Sequence, residues 1–419
     1  MNAKLPQLTP FVGPDASIQA TASSHKSHLD LLGLYKVSAL VVVLFLVYVE
    51  LPSYIHAQND SLPPKYFYYV FFVVLAPLLI LRFRALISYV ISPFSLWAFA
   101  LIMLNIAHLL VALSDGDEGR VSVIGTGIQY TVLTVLLGFA CSITQTKSYE
   151  RIFPFVAVLI PTMVIVDFLS PGLFYPLGAE GTVAGRASAT FINANKAGEA
   201  MLLTFLLAIP VLRPRYRALL LLLVGAGVIL TFSRGAILGW MLLWLFLLVM
   251  KSVPKYTLVV PLAAFGALPL LVGSFQSYLE GREDLSAGVD NLLGRLEFFR
   301  DGVLDDGSGL ARAQGLEAGL DLFLENPIFG AGAGATEVWL LPTNPHNQAV
   351  KLAAEYGIFG IAVLVALAVI LWKGKYFQDK AFQLTAATGV VFLSMFTPNM
   401  FVFPYWLMTF ALISGKRRA

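Results

Sequence analysis

Long apolar runs recur along this chain and constrain its fold more than any other feature. A bilayer core about 30 Å thick requires roughly 20 apolar residues at the rise of an α-helix. The run at 347–372 is long for one span, and it contains Gly357 and Gly360, either of which can break a helix. The runs predict an all-α polytopic membrane protein with about twelve transmembrane helices. The predicted helices lie near residues 34–51, 66–81, 93–113, 121–143, 152–169, 197–212, 216–232, 235–250, 256–273, 347–372, 382–396 and 399–414.

The composition supports a membrane protein and argues against a soluble one. Hydrophobic residues make up 58% of the 419 residues and charged residues 13%, whereas about a quarter of the residues in a globular domain are charged. That is too few charges to cover the separate cores that a soluble chain of this length would need. The net charge of +3 gives no support to a nucleic-acid partner. The one cysteine, Cys141, lies in an apolar run, which favours a buried hydrophobe over a disulfide or a thiolate cluster.

The basic residues predict the orientation of the helices, because short loops rich in Lys and Arg are retained in the cytoplasm. The acidic loop with Asp115, Asp117 and Glu118 then lies outside. The first 32 residues are polar, so we expect a retained first helix and no cleavable signal peptide. With the N-terminus inside, eighteen of the 28 basic residues fall in cytoplasmic segments: Lys4, Lys26, Lys36, Arg82, Arg84, Lys147, Arg151, Arg213, Arg215, Arg217, Lys251, Lys255, Lys373, Lys375, Lys380, Lys416, Arg417 and Arg418.

This topology divides the chain into membrane segments, two cytoplasmic tails and one long outer loop. The tails are residues 1–33 and 415–419, helices 1–9 span 34–273, helices 10–12 span 347–414, and the loop spans 274–346. Loops of this length are usually functional or separately folded. Two apolar stripes predict amphipathic helices that cap the membrane domain, lie on its surface or pack as a core within the loop. The stripes are Val289, Leu292, Leu293, Leu296, Phe299 and Val303, and Leu310, Leu316, Leu320, Phe323 and Leu324.

Several basic residues depart from this bias and fall on the outer side, namely Arg186, Lys196, Arg234, Arg312 and Lys351. A single one is explained by a long side chain that reaches the membrane interface. Five together favour a binding role. Guanidinium groups bind phosphate through paired hydrogen bonds, and such contacts near a bilayer suit a dianionic lipid pyrophosphate. The alternative is that an arginine pairs with a lipid headgroup or a helix end.

His346 is the strongest candidate for a general base on the outer side. Imidazole is the usual general base near neutral pH, although a lone histidine is more often structural. The glycine-rich turn at 330–334 lacks the Lys-Ser/Thr of a nucleotide-binding P-loop. Three acidic segments lack a second cluster with ligand spacing, so we predict no metal site at any of them: Glu283-Asp284, Asp305-Asp306 and the loop at Asp115.

Four motifs resemble those of the O-antigen ligase and polymerase superfamily. The resemblance spans residues 34–414, and it implies a GT-C-like membrane glycosyltransferase with one large periplasmic loop between two late spans. The last two motifs are the most specific. The motifs are the polar stretch from Gly185-Arg186 to Asn195-Lys196, the Ser233-Arg234-Gly235 break, the Asn326-Pro-Ile-Phe-Gly-Ala-Gly332 turn, and Pro345-His346-Asn347 leading into Ala354-Glu355-Tyr356-Gly357.

The resemblance implies transfer of a sugar chain from an undecaprenyl pyrophosphate carrier at the periplasmic face of a bacterial inner membrane, without metal, nucleotide sugar or other cofactor. In the ligase branch the acceptor is a hydroxyl of the lipid A-core oligosaccharide. His346 matches the family's essential loop histidine and would take the proton from that hydroxyl in a displacement that inverts the anomeric centre. Arg186, Arg234 and Arg312 match arginines that would hold the pyrophosphate. Four supporting residues are expected beside them: Asn195, Ser233, Asn347 and Glu355.

Other activities stay open at this stage. The superfamily also contains O-antigen polymerases and oligosaccharyltransferases that modify protein hydroxyls, and the motifs do not separate these from ligases. The absence of a long C-terminal soluble region, which some protein-glycosylating members carry, slightly favours the ligase. A twelve-helix transporter is the rival from another class. Transporters usually carry internal repeats and midplane polar residues, whereas the candidate residues here are expected at the outer face.

Overall fold

The computed structural model describes residues 31–59, 62–144, 146–176, 179, 186–259, 307–341 and 343–415. Within these ranges the chain is helical and forms no β-strand, which confirms the all-helical prediction. Several predicted features lie outside the described residues: most of both tails, most of the span at 256–273, the apolar stripe at 289–303, and the acidic pairs at 283–284 and 305–306.

Most of the long helices follow the apolar runs. In chain order they are α1 (Leu31–Tyr48), α2 (Leu51–Gln58), α3 (Pro64–Leu81), α4 (Phe83–Val90), α5 (Pro93–Ser114), α6 (Glu118–Ile143), α7 (Thr146–Tyr149), α8 (Ile152–Leu169), α9 (Ala194–Ala208), α10 (Pro214–Leu230), α11 (Arg234–Val249), α12 (Gly307–Glu325), α13 (Ala335–Val338), α14 (Gln348–Tyr356), α15 (Ile358–Lys373), α16 (Lys380–Ser394) and α17 (Pro404–Ser414). A 3₁₀ turn, Ile209–Val211, extends α9, and a second 3₁₀ turn covers Lys255–Leu258.

Among the described residues, five helices are long and apolar enough to cross a membrane, namely α3, α5, α6, α8, and α9 with its 3₁₀ extension. The pair α1 and α2 is a sixth candidate, bent by 58° at its break. Helices α11, α15 and α17 are also apolar but shorter. These helices mark a membrane protein, while the full number of about twelve spans and their orientation stay predictions.

The long apolar run at 347–372 is divided at Gly357, one of the two glycines that its sequence offered for a break. Helix α14 ends at Tyr356, and α15 begins at Ile358. Gly357 has a φ of +61°, and an added Cβ would collide with the carbonyl oxygen of Ile328. Only glycine fits this left-handed position without steric cost. The break lets the backbone N–H of Ile358 donate to the carbonyl of Pro327 at 2.9 Å, so the loop packs directly against the helix pair.

Helix α4 was not expected from the sequence. The segment after α3 was interpreted as a basic cytoplasmic connection, but residues 83–90 form α4, in which no residue is buried. Phe83 and Ile87, one turn apart, are both exposed. A short helix with an exposed apolar side is typical of a segment that lies at the membrane surface.

Helix α9 lies at the centre of the bundle. Every residue from Ala197 to Ala208 is buried, and the helix packs against α8, α10, α11 and α17. A helix that is apolar on all sides is stable only when other helices or lipid surround it. The charged and amide side chains of α9 all lie in its first two turns, namely those of Asn195, Lys196 and Glu199. The packing of α9 therefore carries a polar group of residues into the interior at one end of the bundle.

The contact between α10 and α11 gives a test of this packing. An added Cβ at Gly225 would lie 2.5 Å from Cε2 of Trp240, whose indole is fixed by a 2.9 Å hydrogen bond to the carbonyl of Leu221. We expect Gly225→Ala to destabilise the protein by about 1–3 kcal/mol through overpacking. The matched control is Gly125→Ala on α6, where an added Cβ meets no atom within 4 Å. Thermal unfolding in detergent checks the prediction, and equal melting temperatures for the two variants would contradict it.

Candidate functional site

A cavity of about 410 Å³ lies beside the N-terminal end of α9. Five segments form its wall: the start of α9, the start of α11, the first half of α12, the turn before α14, and the end of α16 with the residues that follow. Its lining residues are Asn195, Glu199, Ser233, Arg234, Gly235, Ala236, Leu238, Gly309, Arg312, Ala313, Leu316, His346, Asn347, Leu393, Met395, Phe396 and Thr397. Two arginines, one histidine and one carboxylate thus share a space that is otherwise mostly apolar.

Six of the eight residues that the sequence singled out line this cavity. They are Asn195, Ser233, Arg234, Arg312, His346 and Asn347. The other two, Arg186 and Glu355, are not among its lining residues. Segments far apart in the sequence meet here because α9 and α11 both begin at this end of the bundle, and the turn before α14 packs beside them.

Arg186 lies one residue behind the cavity wall. Its Nη2 donates to Oδ1 of Asn195 at 2.7 Å, and its Nε donates to the carbonyl of Thr231 at 2.8 Å. The same asparagine lines the cavity, and the same threonine stands just before α11. Arg186 therefore joins the starts of the two helices that carry the cavity's polar residues.

The start of α11 approaches Phe396 very closely. An added Cβ at Gly235 would lie 2.7 Å from Cβ of Phe396, so only glycine permits this spacing. The preceding residue of the motif, Ser233, caps α11 by accepting a hydrogen bond from the backbone N–H of Ala236 at 3.4 Å. In the Ser-Arg-Gly break, Ser233 thus caps the helix, Arg234 lines the cavity, and Gly235 permits the close contact with Phe396.

His346 lies immediately before the cap of α14. Asn347 Oδ1 accepts hydrogen bonds from the backbone N–H groups of Ala349 at 2.9 Å and Val350 at 3.2 Å, which fixes the turn that carries the imidazole. Burial and, to a smaller extent, the positive charge of Arg312 lower the pKa of His346 to about 4, although the backbone of Phe396 acts in the opposite direction. The imidazole is therefore neutral near pH 7 and able to accept a proton.

Glu355 serves the glycine-rich turn rather than the cavity. Its Oε1 accepts hydrogen bonds from Thr336, at 2.5 Å from the hydroxyl and 3.3 Å from the backbone N–H. Its backbone carbonyl accepts from the N–H of Gly332 at 3.0 Å. It lines a separate, smaller cavity of about 40 Å³ with Lys351, whose ammonium pairs with Glu337 and Asn399. This polar cluster holds the turn at 330–334 against α14.

Sequence reasoning missed two polar residues of the cavity wall, Glu199 and Thr397. Glu199 is 6% exposed and Thr397 is 2% exposed, and the hydroxyl of Thr397 donates to Oε1 of Glu199 at 2.5 Å. The available signal was an acidic residue inside an apolar run, because ionisable groups within membrane helices usually have a functional reason. Thr397 carries no comparable signal, since threonine is common in apolar segments.

No candidate metal site is found in the described part of the chain. Among those residues, no group of three or more His, Cys, Asp or Glu side chains is arranged to hold a metal ion. The acidic loop near Asp115 lies at the end of α5 and is exposed. Arg234 and Arg312 are cationic donors in the cavity wall, and the carboxylate of Glu199 in the same wall is already hydrogen-bonded to Thr397, Tyr405 and Trp406, so the two guanidinium groups suit an anion.

Comparison with known families agrees with the motifs. The model of the O-antigen ligase family matches residues 219–365, a segment that runs from α10 to the first half of α15 and contains Arg234, Arg312 and His346. The match identifies an O-antigen ligase family domain in this chain and covers less than half of its length. Among curated proteins, none matches the chain.

The charge of Arg312 gives a test of the site's electrostatics. Diethyl pyrocarbonate modifies neutral imidazole, so we expect His346 to be labelled with a midpoint near pH 4, as its lowered pKa requires. Arg312→Gln removes a positive charge, and the midpoint should rise towards the ordinary value of about 6.5. Mass spectrometry of the peptide that carries His346 measures both. Arg215→Gln, at an exposed arginine that bonds Tyr216, is the control, and a shift equal to that of Arg312→Gln would refute a local effect.

Proposed function

Because residues 219–365 belong to the O-antigen ligase family, we propose that this membrane protein is an O-antigen ligase. It transfers polysaccharide from undecaprenyl pyrophosphate to a hydroxyl of the lipid A-core oligosaccharide. The observation that carries the proposal is the cavity in which His346, Arg234 and Arg312 meet. One neutral base and two cations beside an apolar surface suit a reaction that moves a sugar from a diphosphate to an alcohol.

The arginines bind the donor's pyrophosphate in this proposal. Arg234 and Arg312 line the cavity from two different helices, α11 and α12. Arg186 supports them from behind through its hydrogen bond to Asn195. Guanidinium groups are always charged and bind phosphate oxygens in pairs, so they stabilise the negative charge that grows on the departing diphosphate. No metal ion or nucleotide sugar is required for this step.

His346 acts as the general base. Its neutral imidazole accepts the proton from the acceptor hydroxyl while the hydroxyl oxygen bonds to the anomeric carbon. The bond between that carbon and the diphosphate oxygen breaks, and undecaprenyl pyrophosphate leaves with the electron pair. A single displacement of this kind inverts the anomeric centre. The lowered pKa of His346 keeps the imidazole in the form that accepts a proton at neutral pH.

The lipid part of the donor has a candidate path into the cavity. Leu238, Leu316, Met395 and Phe396 line it and are each more than a third exposed. Exposed apolar side chains at a cavity mouth suit a hydrocarbon chain better than water. We propose that the prenyl chain lies along this apolar edge, with the catalytic side at the periplasmic face of a bacterial inner membrane and both termini in the cytoplasm.

Reconstitution tests the activity directly. Purified protein in liposomes, given undecaprenyl pyrophosphate-linked glycan and lipid A-core, should produce glycosylated lipid A-core, and a chelator should leave the yield unchanged. A strict need for added divalent metal would refute the metal-free mechanism. Longer glycan on the carrier without an acceptor would identify a polymerase instead. No product from any lipid-linked donor would remove the proposal in favour of transport or protein glycosylation.

The division of labour between base and arginines gives a second test. We expect His346→Ala to lower kcat by about 10²–10⁴-fold, since that is what a positioned general base contributes. Inhibition by undecaprenyl pyrophosphate should persist in this variant, because the anion site is intact. Arg234→Gln should instead weaken that inhibition and raise the KM for the donor more than the KM for the acceptor. Full transfer by His346→Ala would show that another group is the base.

A further inference from the structure

The carboxylate of Glu199 is held by three donors in the wall of the cavity. Its Oε2 accepts from Nε1 of Trp406 at 2.8 Å and from the hydroxyl of Tyr405 at 3.2 Å. Its Oε1 accepts from the hydroxyl of Thr397 at 2.5 Å. An indole N–H can only donate, so these bonds fix Glu199 as the acceptor. Three hydrogen bonds to one buried carboxylate leave it a single orientation.

The two partners on α17 are rigid. Tyr405 and Trp406 are both fully buried, and the ring of Tyr405 is stacked on Phe403 with centroids 5.8 Å apart. Packed aromatic rings of this kind have little freedom to move. Glu199 is therefore anchored to a fixed part of the bundle through Oε2, and its Oε1 sets the position of Thr397.

Thr397 is joined through one peptide unit to the residue that contacts His346. Phe396, Thr397 and His346 all line the cavity, and the backbone of Phe396 is close enough to the His346 imidazole to raise its pKa. The next turn is tied to α14, because Oε1 of Gln348 accepts from the backbone N–H of Met400 at 3.0 Å. The segment at 396–400 is thus held from α9 on one side and from α14 on the other.

We propose that Glu199 and Thr397 are positioning residues for His346. They hold the peptide between Phe396 and Thr397 so that the carbonyl of Phe396 accepts the imidazole N–H, and the other ring nitrogen faces the cavity as the proton acceptor. This inference rests on the proposed function for the role of His346 as base, but the geometry it predicts does not depend on any activity. A neutral histidine that acts as a base carries its proton on one ring nitrogen and accepts the substrate's proton on the other. The hydrogen-bond partner of the protonated nitrogen determines which tautomer is present.

Thr397→Val is the sharpest test, because valine keeps the shape of threonine and removes only the hydroxyl. We expect kcat to fall by roughly 10-fold or more, as a small misplacement of a reacting group does, with the KM for the donor unchanged. Thr397→Ser restores the hydroxyl and should restore most of kcat. Glu199→Gln keeps the size of the side chain and should resemble Thr397→Val. Thr204→Val is the control, since this buried hydroxyl on α9 donates to the carbonyl of Ala200 in its own helix.

A spectroscopic measurement separates positioning from a general structural role. In protein labelled with ¹⁵N-histidine at neutral pH, the signals lost in His346→Gln assign the ring nitrogens of His346. Wild type and Thr397→Ser should show one tautomer, and Thr397→Val should show a mixture of two. A loss of kcat in Thr397→Val with an unchanged tautomer would overturn the proposal, as would wild-type kcat in that variant. If wild type transfers no glycan at all, the proposed function fails, and the tautomer comparison still decides the positioning.

Discussion

The burial of α9 on all sides is the constraint on which the rest of the structure depends. Every residue from Ala197 to Ala208 is buried, and α8, α10, α11 and α17 pack around the helix. The same helix begins with Asn195, Lys196 and Glu199, so packing the apolar part carries polar groups into a low-dielectric place. Each of them needs a partner there, because a buried polar group without one costs several kcal/mol, roughly 2–7 by transfer data. One of those partners, Thr397, also lines the cavity.

The partners explain the chemistry of the cavity. Asn195 accepts from Arg186, and Glu199 accepts from Thr397, Tyr405 and Trp406. Charges in such a place act strongly on one another because little water screens them. Burial and the charge of Arg312 together keep His346 neutral. The proposed function depends on this combination of desolvation and nearby positive charge.

Many residues of the site could be predicted from the sequence because they belong to a few short motifs. Arg234 lies in a helix break, and His346 and Asn347 lie in a turn before a helix, so their local roles follow from helix starts. The sequence also predicted a break in the run at 347–372, but it did not decide between Gly357 and Gly360. Glu199 and Thr397 were missed because their meaning depends on a hydrogen bond between residues 198 positions apart. Arg186 was expected to bind the pyrophosphate and Glu355 to support the same site, whereas Arg186 bonds Asn195 from behind the cavity wall and Glu355 lines a second cavity.

The sequence by itself determined that the chain is helical and lies in a membrane, since apolar length and charge scarcity leave few other solutions in water or lipid. It also determined which short segments hold the polar residues, and hence which family the chain resembles. Only the tertiary structure decided which of these residues share one cavity, which support it from behind, and that an acidic residue of α9 bonds to Thr397 in the cavity wall. The reason is physical: periodicity reports how one helix meets its surroundings, whereas convergence of side chains depends on how several helices pack, and no single segment carries that information.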